Sequence, residues 1–193
     1  DDCIPASSSM TISFQDLPIV QAGADQSLCT QNPNVSLSGQ VNNAGGGIWS
    51  TSGSGTFNPT DTQLTNVVYI PSNSDIINGS VRLTLSSTGN GACDTIRDEL
   101  LASFIPPPII NAGEDRFVLQ NKTTVLNPSV SDPNVTYLWT PNLNISDNSV
   151  KNPVITAGDV DQLYTLTVTD SRGCPSTDEI LIKVLIPPSI YNT

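Results

Sequence analysis

Residues 18–25 (PIVQAGAD) and residues 108–115 (PIINAGED) are two copies of one motif, placed 90 positions apart. Trp49 and Trp139 keep the same spacing, so a second landmark supports the same register. A repeat of this length is typical of separate structural units, each of which can bury its own core. The repeat therefore divides the chain before any strand or helix is assigned.

Towards the end of each copy the spacing shortens. Residues 91–93 (GAC) match residues 172–174 (RGC), and residues 105–107 (IPP) match residues 186–188 (IPP), now at an offset of 81. The first copy therefore carries nine additional residues between its Trp and its Cys. Proline fixes φ, so the proline run at the junction predicts a short, stiff connection.

The repeat predicts four segments along the chain. They are residues 1–17, the terminal strand of a preceding repeat; residues 18–107, the first domain; residues 108–188, the second domain; and residues 189–193, the start of a following segment. The first assignment depends on Cys3, which precedes Pro18 by 15 positions, much as the later cysteines precede the later prolines.

Alternation of apolar and polar residues predicts short, half-buried strands. It is clear at residues 135–140 and 163–169, and again at Met10, Ile12 and Phe14. About seven such strands in a repeat, with one tryptophan on a middle strand, are typical of a Greek-key sandwich. We therefore predict an all-β protein of two tandem β-sandwiches in an elongated arrangement. Trp49, Trp139 and Tyr164 are its predicted core aromatics.

The composition excludes several classes of function. The 193 residues include 18 acidic and 7 basic side chains, for a net charge of −11, and no histidine. Without histidine there is no Ser-His-Asp triad, no imidazole base and no His-ligated zinc. The negative charge disfavours nucleic acids and anionic lipid surfaces, and no apolar run approaches the length of a membrane span. We therefore predict a protein that is not an enzyme, binds no nucleic acid and does not insert into a membrane.

The four cysteines predict disulfide bonds and hence an oxidising compartment. Four cysteines allow three pairings, of which the repeat favours Cys29–Cys93, since both lie in the first copy. Leu119 occupies the place of Cys29 in the second copy, which leaves Cys174 without a local partner. Cys3 and Cys174 are then free, bonded to each other, or available for assembly with a neighbouring chain.

Asp25 and Asp115 follow the Ala-Gly turn of each repeat. Carboxylates in such turns suit a hard cation, so they are the candidate calcium ligands. A hydrogen bond from the side chain to nearby backbone explains the same two residues equally well. No other cofactor or metal site is predicted.

The motifs, taken in order, resemble a known family of repeats. Ala-Gly-x-Asp is followed by an early Cys, by Trp-Ser/Thr in mid-repeat, and by an alternating strand before Gly-Cys; residues 164–174 (YTLTVTDSRGC) fit best. Residues 18–188 thus resemble the PKD-like, immunoglobulin-like repeats of Bacteroidota cell-surface proteins. The resemblance implies immunoglobulin-like sandwiches, as in gliding-motility adhesins and other cargo of the type IX secretion system. The second repeat lacks the early Cys, so the family's usual bridge within a domain is not expected there.

These observations favour a structural stalk segment of an extracellular adhesin or filament at a bacterial cell surface. Its expected partners are neighbouring repeats and other copies of the chain, with a surface or polysaccharide contacted through other domains. The alternative is an accessory glycan-binding module of a secreted hydrolase, which would require exposed tryptophans. A third hypothesis, a fragment of a eukaryotic receptor, would require glycans at Asn34 or Asn134.

Overall fold

The computed structural model describes residues 7–12 and 14–188, and almost all of its regular structure is β, as predicted. The chain divides into two compact units. One comprises the residues up to Gln26 together with Asn34–Ser103, and the other comprises Ser27–Pro33 together with the residues from Phe104 onwards. Residues 27–33 and 104–107 of the first sequence repeat therefore belong to the second compact unit.

The first repeat contains nine strands and one short helix. They are β1 (Ile19–Gln21), β2 (Gln26–Cys29), β3 (Val35–Ser38), β4 (Gln40–Asn42), β5 (Gly46–Thr51), β6 (Thr56–Asn58), β7 (Thr65–Ile70), α1 (Asn73–Ile77), β8 (Ser80–Thr88) and β9 (Arg97–Ile105).

The strands of the first repeat form sheets whose neighbours are not consecutive in sequence. One sheet has the order β2-β9-β8-β5, another the order β3-β7-β6, and β1 pairs with β4. Such crossovers define the Greek-key arrangement of an immunoglobulin-like sandwich. The tryptophan strand β5 lies at one edge of its sheet, paired with β8 so that Trp49 is opposite Leu85.

The second repeat contains eight strands. They are β10 (Ile110–Asn111), β11 (Arg116–Leu119), β12 (Thr123–Val125), β13 (Ser129–Val130), β14 (Val135–Thr140), β15 (Val154–Thr156), β16 (Gln162–Asp170) and β17 (Pro175–Leu185). The main sheet has the order β11-β17-β16-β14, and β12 pairs with β15 and β10 with β13. The order of the main sheet is that of the first repeat, with Trp139 opposite Leu166.

The cores follow from the period-2 alternation of the strands. Along β16, Tyr164, Leu166 and Val168 are buried, and the threonines between them are only partly covered. Trp139 and Tyr164 are fully buried in the second repeat, and Trp49 is 1% exposed in the first. Large aromatic side chains of this kind contribute most of the apolar area that stabilises a small sandwich.

Part of the additional length of the first repeat lies between β7 and β8, where the chain forms α1. Its N-cap is Ser72, which accepts a hydrogen bond from the Asp75 backbone N–H, and the Asp75 side chain accepts one from the Ser72 N–H. This reciprocal capping box lets a helix of five residues begin abruptly after a strand. Within the described part of the chain, no helix has the length and apolar character needed to cross a bilayer.

The segment before the first repeat does not form the predicted strand. Its described residues, 7–12 and 14–18, have no strand pairing, and Met10, Ile12 and Phe14 are 82%, 64% and 95% exposed. Alternation alone specifies a strand only when a sheet edge is present to pair with it. These residues form no strand in this structure, and their assignment to a preceding repeat stays a prediction.

Candidate functional site

A disulfide joins Cys29 to Cys174 across 145 positions of sequence. Cys29 is the last residue of β2, and Cys174 lies in the turn between β16 and β17. Their Cα atoms are 5.6 Å apart, within the range of native disulfides. Both cysteines belong to the second compact unit.

The predicted Cys29–Cys93 pairing is wrong. The prediction assumed that each sequence repeat folds as a closed unit, but Ser27–Pro33 belongs to the second compact unit. The Thr30 N–H there donates to the Ile105 carbonyl at 3.0 Å, which holds the end of β2 beside the end of β9. Cys174, expected to lack a local partner, is thus the partner of Cys29. Cys93 is a partly exposed thiol, and Cys3 lies outside the described residues.

The turn that carries Cys174 is held by one buried carboxylate. Asp170 accepts hydrogen bonds from the backbone N–H of Cys174 and of Arg172, each at 2.9 Å, and its second oxygen pairs with the Arg172 guanidinium at 2.7 Å. The hydrogen bond from Cys174 is the largest of the effects that lower the pKa of Asp170, with the Arg172 side chain next. An ionised Asp170 therefore positions the cysteine for its bond.

The two candidate calcium ligands have backbone partners. Asp25 accepts from the Leu101 N–H at 2.8 Å, and Asp115 accepts from the Leu181 N–H at 3.0 Å. Each carboxylate thus attaches the Ala-Gly turn to the last strand of its repeat. Among the residues that the structure describes, no group of three or more His, Cys, Asp or Glu is placed to hold a metal ion. The geometry accounts for both aspartates as backbone acceptors.

A second pair of repeated carboxylates was missed in the sequence. Asp98 accepts from the Ala22 N–H at 2.8 Å, and Asp178 accepts from the Ala112 N–H at 2.7 Å. They fix the Ala-Gly turn from the other side. The signal was present but hidden, because these two residues are 80 positions apart rather than the 90 or 81 of the other landmarks.

One shallow concavity, of about 270 Å³, brings two carboxylates together, those of Asp25 and Glu99. Neither is available as an acid or base for catalysis. Asp25 is bonded to Leu101, and Glu99 accepts from Arg82 at 2.9 Å and from Thr84 at 3.1 Å on an exposed face. A general acid or base needs an altered pKa and a site that excludes water.

The aromatic residues do not form a glycan-binding surface of tryptophans. Trp49 and Trp139 are both buried, with 1% and 0% of their surface exposed. Among the residues that the structure describes, the exposed aromatics are Phe14 and Phe117, and the Lys183 ammonium lies 5.3 Å from the Phe117 ring. The condition set for the glycan-binding alternative, an exposed tryptophan, is not met.

Comparison with known proteins gives structural neighbours only. No protein-family model and no curated protein matches the sequence. Three consecutive immunoglobulin domains of titin are 12% identical with a TM-score of 0.49, covering 94% of this chain and 70% of the fragment. Immunoglobulin domains 1–4 of Sidekick-1 are 14% identical with a TM-score of 0.45, covering 88% of this chain and 49% of theirs.

A third neighbour comprises extracellular domains 3–5 of Drosophila OTK, at 13% identity and a TM-score of 0.46, covering 86% of this chain and 62% of that one. This chain spans about half the length of the Sidekick-1 fragment. At these identities the likeness concerns the fold alone, tandem immunoglobulin-like domains.

Proposed function

We propose that this chain is a non-enzymatic stalk segment of an extracellular bacterial adhesin or filament, which spaces a binding tip from the cell and transmits force to it. The observation that carries the proposal is the Cys29–Cys174 bond. It closes a covalent loop that contains most of both sequence repeats, including both tryptophan cores. Formation of the bond requires an oxidising compartment, which fits an extracellular location.

The loop changes what tension can do to the chain. When the two ends are pulled, the force passes from Cys29 through the sulfur atoms to Cys174, so the residues between them carry no load. Only the residues outside the loop can then be drawn out. A stalk that must keep its length under load needs this property, whereas a catalytic or ligand-binding module does not.

The repeated carboxylates support the same role. Asp25, Asp98, Asp115 and Asp178 each accept a hydrogen bond from a backbone N–H of their own repeat. The ionisable groups are thus used for structure. The resemblance of the motifs to Bacteroidota surface repeats supports a bacterial adhesin, secreted by the type IX system and active in adhesion or gliding.

Pulling the whole chain by its two ends in an optical trap tests the proposal. With the disulfide intact, we expect unfolding to release only the residues outside the loop. Reduction should add roughly 500 Å of contour length, at about 3.5 Å for each of the 145 positions of the loop. Cys29→Ser should extend fully without reductant, and Cys93→Ser should behave as the unaltered chain.

Two results would contradict the stalk. One is full extension of the oxidised chain, which would show that the bond does not protect the repeats from load. The other is specific binding of the isolated chain on a glycan array, which would favour the accessory glycan-binding module instead.

A further inference from the structure

Cys93 stands where the second repeat has a disulfide-bonded cysteine. We propose that Cys93 forms a disulfide with a cysteine at the end of the second strand of the repeat that precedes residue 18, so that successive repeats are linked by staggered bonds. The proposal deepens the stalk function and rests on it, because it requires the two repeats to belong to a longer series.

The last turn of each repeat connects its two final strands, over residues 89–96 in the first and residues 171–174 in the second. The flanking strands have matching register, since Leu85 pairs with Asp98 as Leu166 pairs with Asp178. Equivalent residues of β8 and β16 are thus 81 positions apart, and equivalent residues of β9 and β17 are 80 positions apart.

Cys93 and Cys174 therefore occupy the same place in the last turn to within one residue. The turn hydrogen bonds differ by this one residue, because Cys93 N–H itself donates to the Asn90 carbonyl at 3.1 Å, whereas Gly173, the neighbour of Cys174, donates to the Asp170 carbonyl at 3.0 Å. Each cysteine thus lies at, or next to, the donor of the bond that closes its turn.

The other half of the observed bond has an equivalent too. Cys29 and Leu119 each end a strand of four residues. The Cys29 carbonyl accepts from the Asn32 N–H at 2.9 Å, and the Leu119 carbonyl accepts from the Lys122 N–H at 3.0 Å. Leu119 is thus the structural counterpart of Cys29, but it has no thiol.

The residues that follow Cys29 and Leu119 also make matching hydrogen bonds. The Thr30 N–H donates to Ile105 and the Gln120 N–H to Leu185, at 3.0 and 2.9 Å, so both strand ends lie against the end of a last strand.

The observed disulfide therefore follows a rule: the second-strand end of one sequence repeat bonds the last turn of the next. Applied one repeat earlier, the rule assigns Cys93 a partner in the sequence before residue 18. Applied one repeat later, it ends at Leu119.

Contacts of the chain that leads into the first repeat fit this arrangement. The Gln15 side chain donates to the Asn90 carbonyl at 3.1 Å, so the incoming chain lies on the turn that carries Cys93. In the second repeat, the hydroxyl of Ser176, in the strand that follows the turn of Cys174, donates to the Pro108 carbonyl. The incoming chain therefore contacts the last turn itself in the first repeat and the strand just after that turn in the second. The end of a preceding second strand, held beside that incoming chain as Thr30 is beside Ile105, would reach Cys93.

The bond requires the oxidation of two thiols. Thiol–disulfide exchange with an oxidised dithiol oxidoreductase, or with oxidised glutathione in a test tube, forms one S–S bond in the protein and reduces one S–S bond of the oxidant to two thiols. Partial exposure of Cys93 leaves its sulfur accessible to that exchange.

The repeat itself supplies the test. An additional copy of residues 18–107, inserted between Pro107 and Pro108 of the full chain, gives two junctions that both read Pro-Pro-Pro-Ile, as in the unaltered sequence. Cys3→Ser removes the cysteine that precedes the first copy, so that Cys93 of the first copy should be alkylated. After refolding with oxidised and reduced glutathione, free thiols are alkylated and the disulfides are mapped by mass spectrometry without reduction.

We expect Cys29 of the first copy to bond Cys93 of the second copy, and Cys29 of the second copy to bond Cys174. Changing Cys29 to Ser in the first copy alone should leave Cys93 of the second copy alkylated. A Cys29–Cys93 bond within one copy, or an alkylated Cys93 in the second copy of the unaltered insertion, overturns the proposal.

A single substitution tests the rule in a chain of natural length. In Leu119→Cys, the new thiol should be alkylated and the Cys29–Cys174 bond should persist, because the rule places its partner beyond the second repeat. A bond between the new cysteine and Cys174, or a Cys3–Cys93 bond in the unaltered chain, overturns the rule. The optical-trap result depends on Cys29–Cys174 alone, so the stalk can survive the failure of this proposal.

Discussion

The two repeats fix the loop after their tryptophan strand by different means. In the first, the hydroxyl of Tyr69 donates to the buried Asp75 at 2.7 Å, and Asp75 also accepts from the Ser54 and Gly55 N–H groups. In the second, the Tyr164 hydroxyl donates directly to the Leu143 carbonyl at 2.7 Å.

The difference shows the structural role of the additional residues that form α1 in the first repeat. They bring α1 and its Asp75 to a loop that the second repeat holds with one hydrogen bond from a different strand. The second repeat has its covalent bond elsewhere, at the turn of Cys174. The loop after the tryptophan strand therefore depends on a buried carboxylate in the first repeat and on a single tyrosine–carbonyl hydrogen bond in the second.

Removal of the disulfide should have the largest effect on stability. The loss should be greater in the second compact unit than in the first. In the chain-entropy model, closing a loop of this length contributes at most about 5 kcal/mol to the free energy of unfolding. Cys29→Ser should destabilise the second compact unit by much of this amount. Single-tryptophan variants, which retain either Trp49 or Trp139, report denaturant unfolding of each core by fluorescence. Cys93→Ser is the matched control, and equal losses in both cores would refute the assignment.

Asp75→Ala should destabilise the first core by about 3 kcal/mol. The substitution leaves the backbone N–H groups of Ser54 and Ser72 without their acceptor, whereas the Gly55 N–H keeps the Tyr69 hydroxyl as its second acceptor. Tyr164→Phe, which removes one hydrogen bond from the second core, should cost only about 1 kcal/mol. Urea denaturation followed by each tryptophan measures both. A larger loss from Tyr164→Phe would reverse the comparison.

Acid should weaken the first core through the same carboxylate. Burial by itself raises the pKa of Asp75, but the hydrogen bonds from Ser54, Tyr69 and Ser72 together outweigh it, so the net pKa is lowered. A lowered native pKa gives stability above the ordinary pKa of an aspartate, and this stability is lost as pH falls through the native value. Thermal midpoints of the first core should therefore fall as the pH drops below about 4.

The matched variant for the acid experiment is Asp75→Asn, which should be less stable at neutral pH and should show a flatter dependence below pH about 4. An equal acid dependence in both proteins would exclude Asp75 as its source.

The two tryptophans should differ by about 1 kcal/mol when each is replaced by Phe. Trp139 Nε1 donates to the Val150 carbonyl at 3.2 Å, whereas Trp49 Nε1 has no acceptor among the described residues. Both substitutions remove similar volume, so Trp139→Phe should be the more costly. Calorimetry measures the two variants, and a more costly Trp49→Phe would show that its N–H has a partner after all.

The smallest effect is expected at the Arg82–Glu99 ion pair, for which the second repeat has Leu163 in the place of Arg82. The side chains are 61% and 45% exposed, and pairs of this kind contribute less than about 1 kcal/mol. Arg82→Ala should leave the first core within about 0.5 kcal/mol of the unaltered chain, with the difference vanishing in high salt. A larger loss that persists in salt would indicate packing of the arginine stem.

The strands and their buried faces could be predicted because both depend on local pattern. Residues 135–140 coincide with β14, and the alternation at residues 163–169 lies within β16. At Met10, Ile12 and Phe14 the same alternation is present, but none of the described strands pairs with this segment.

The disulfide could not be predicted from the repeat, because pairing depends on which segments meet after folding. Cys29 and Cys93 share a repeat, but the structure places Ser27–Pro33 in the second compact unit. Asp98 and Asp178 were missed for a related reason. Asp98 and Asp178 are 80 positions apart, an offset that no other landmark of the sequence shares. Their equivalence becomes visible only when the β8–β9 pairing is compared with the β16–β17 pairing, which requires the structure.

The parallel pairing of β11 with β17 has a mechanical consequence. Arg116 lies opposite Ile182 and Leu119 opposite Leu185, with both strands running in the same direction. Tension towards the N-terminus on β11 and towards the C-terminus on β17 would slide the two strands past each other, so their hydrogen bonds would be loaded in shear and would resist together. Oxidation diverts the load away from β11 at Cys174, and reduction would return it to this clamp.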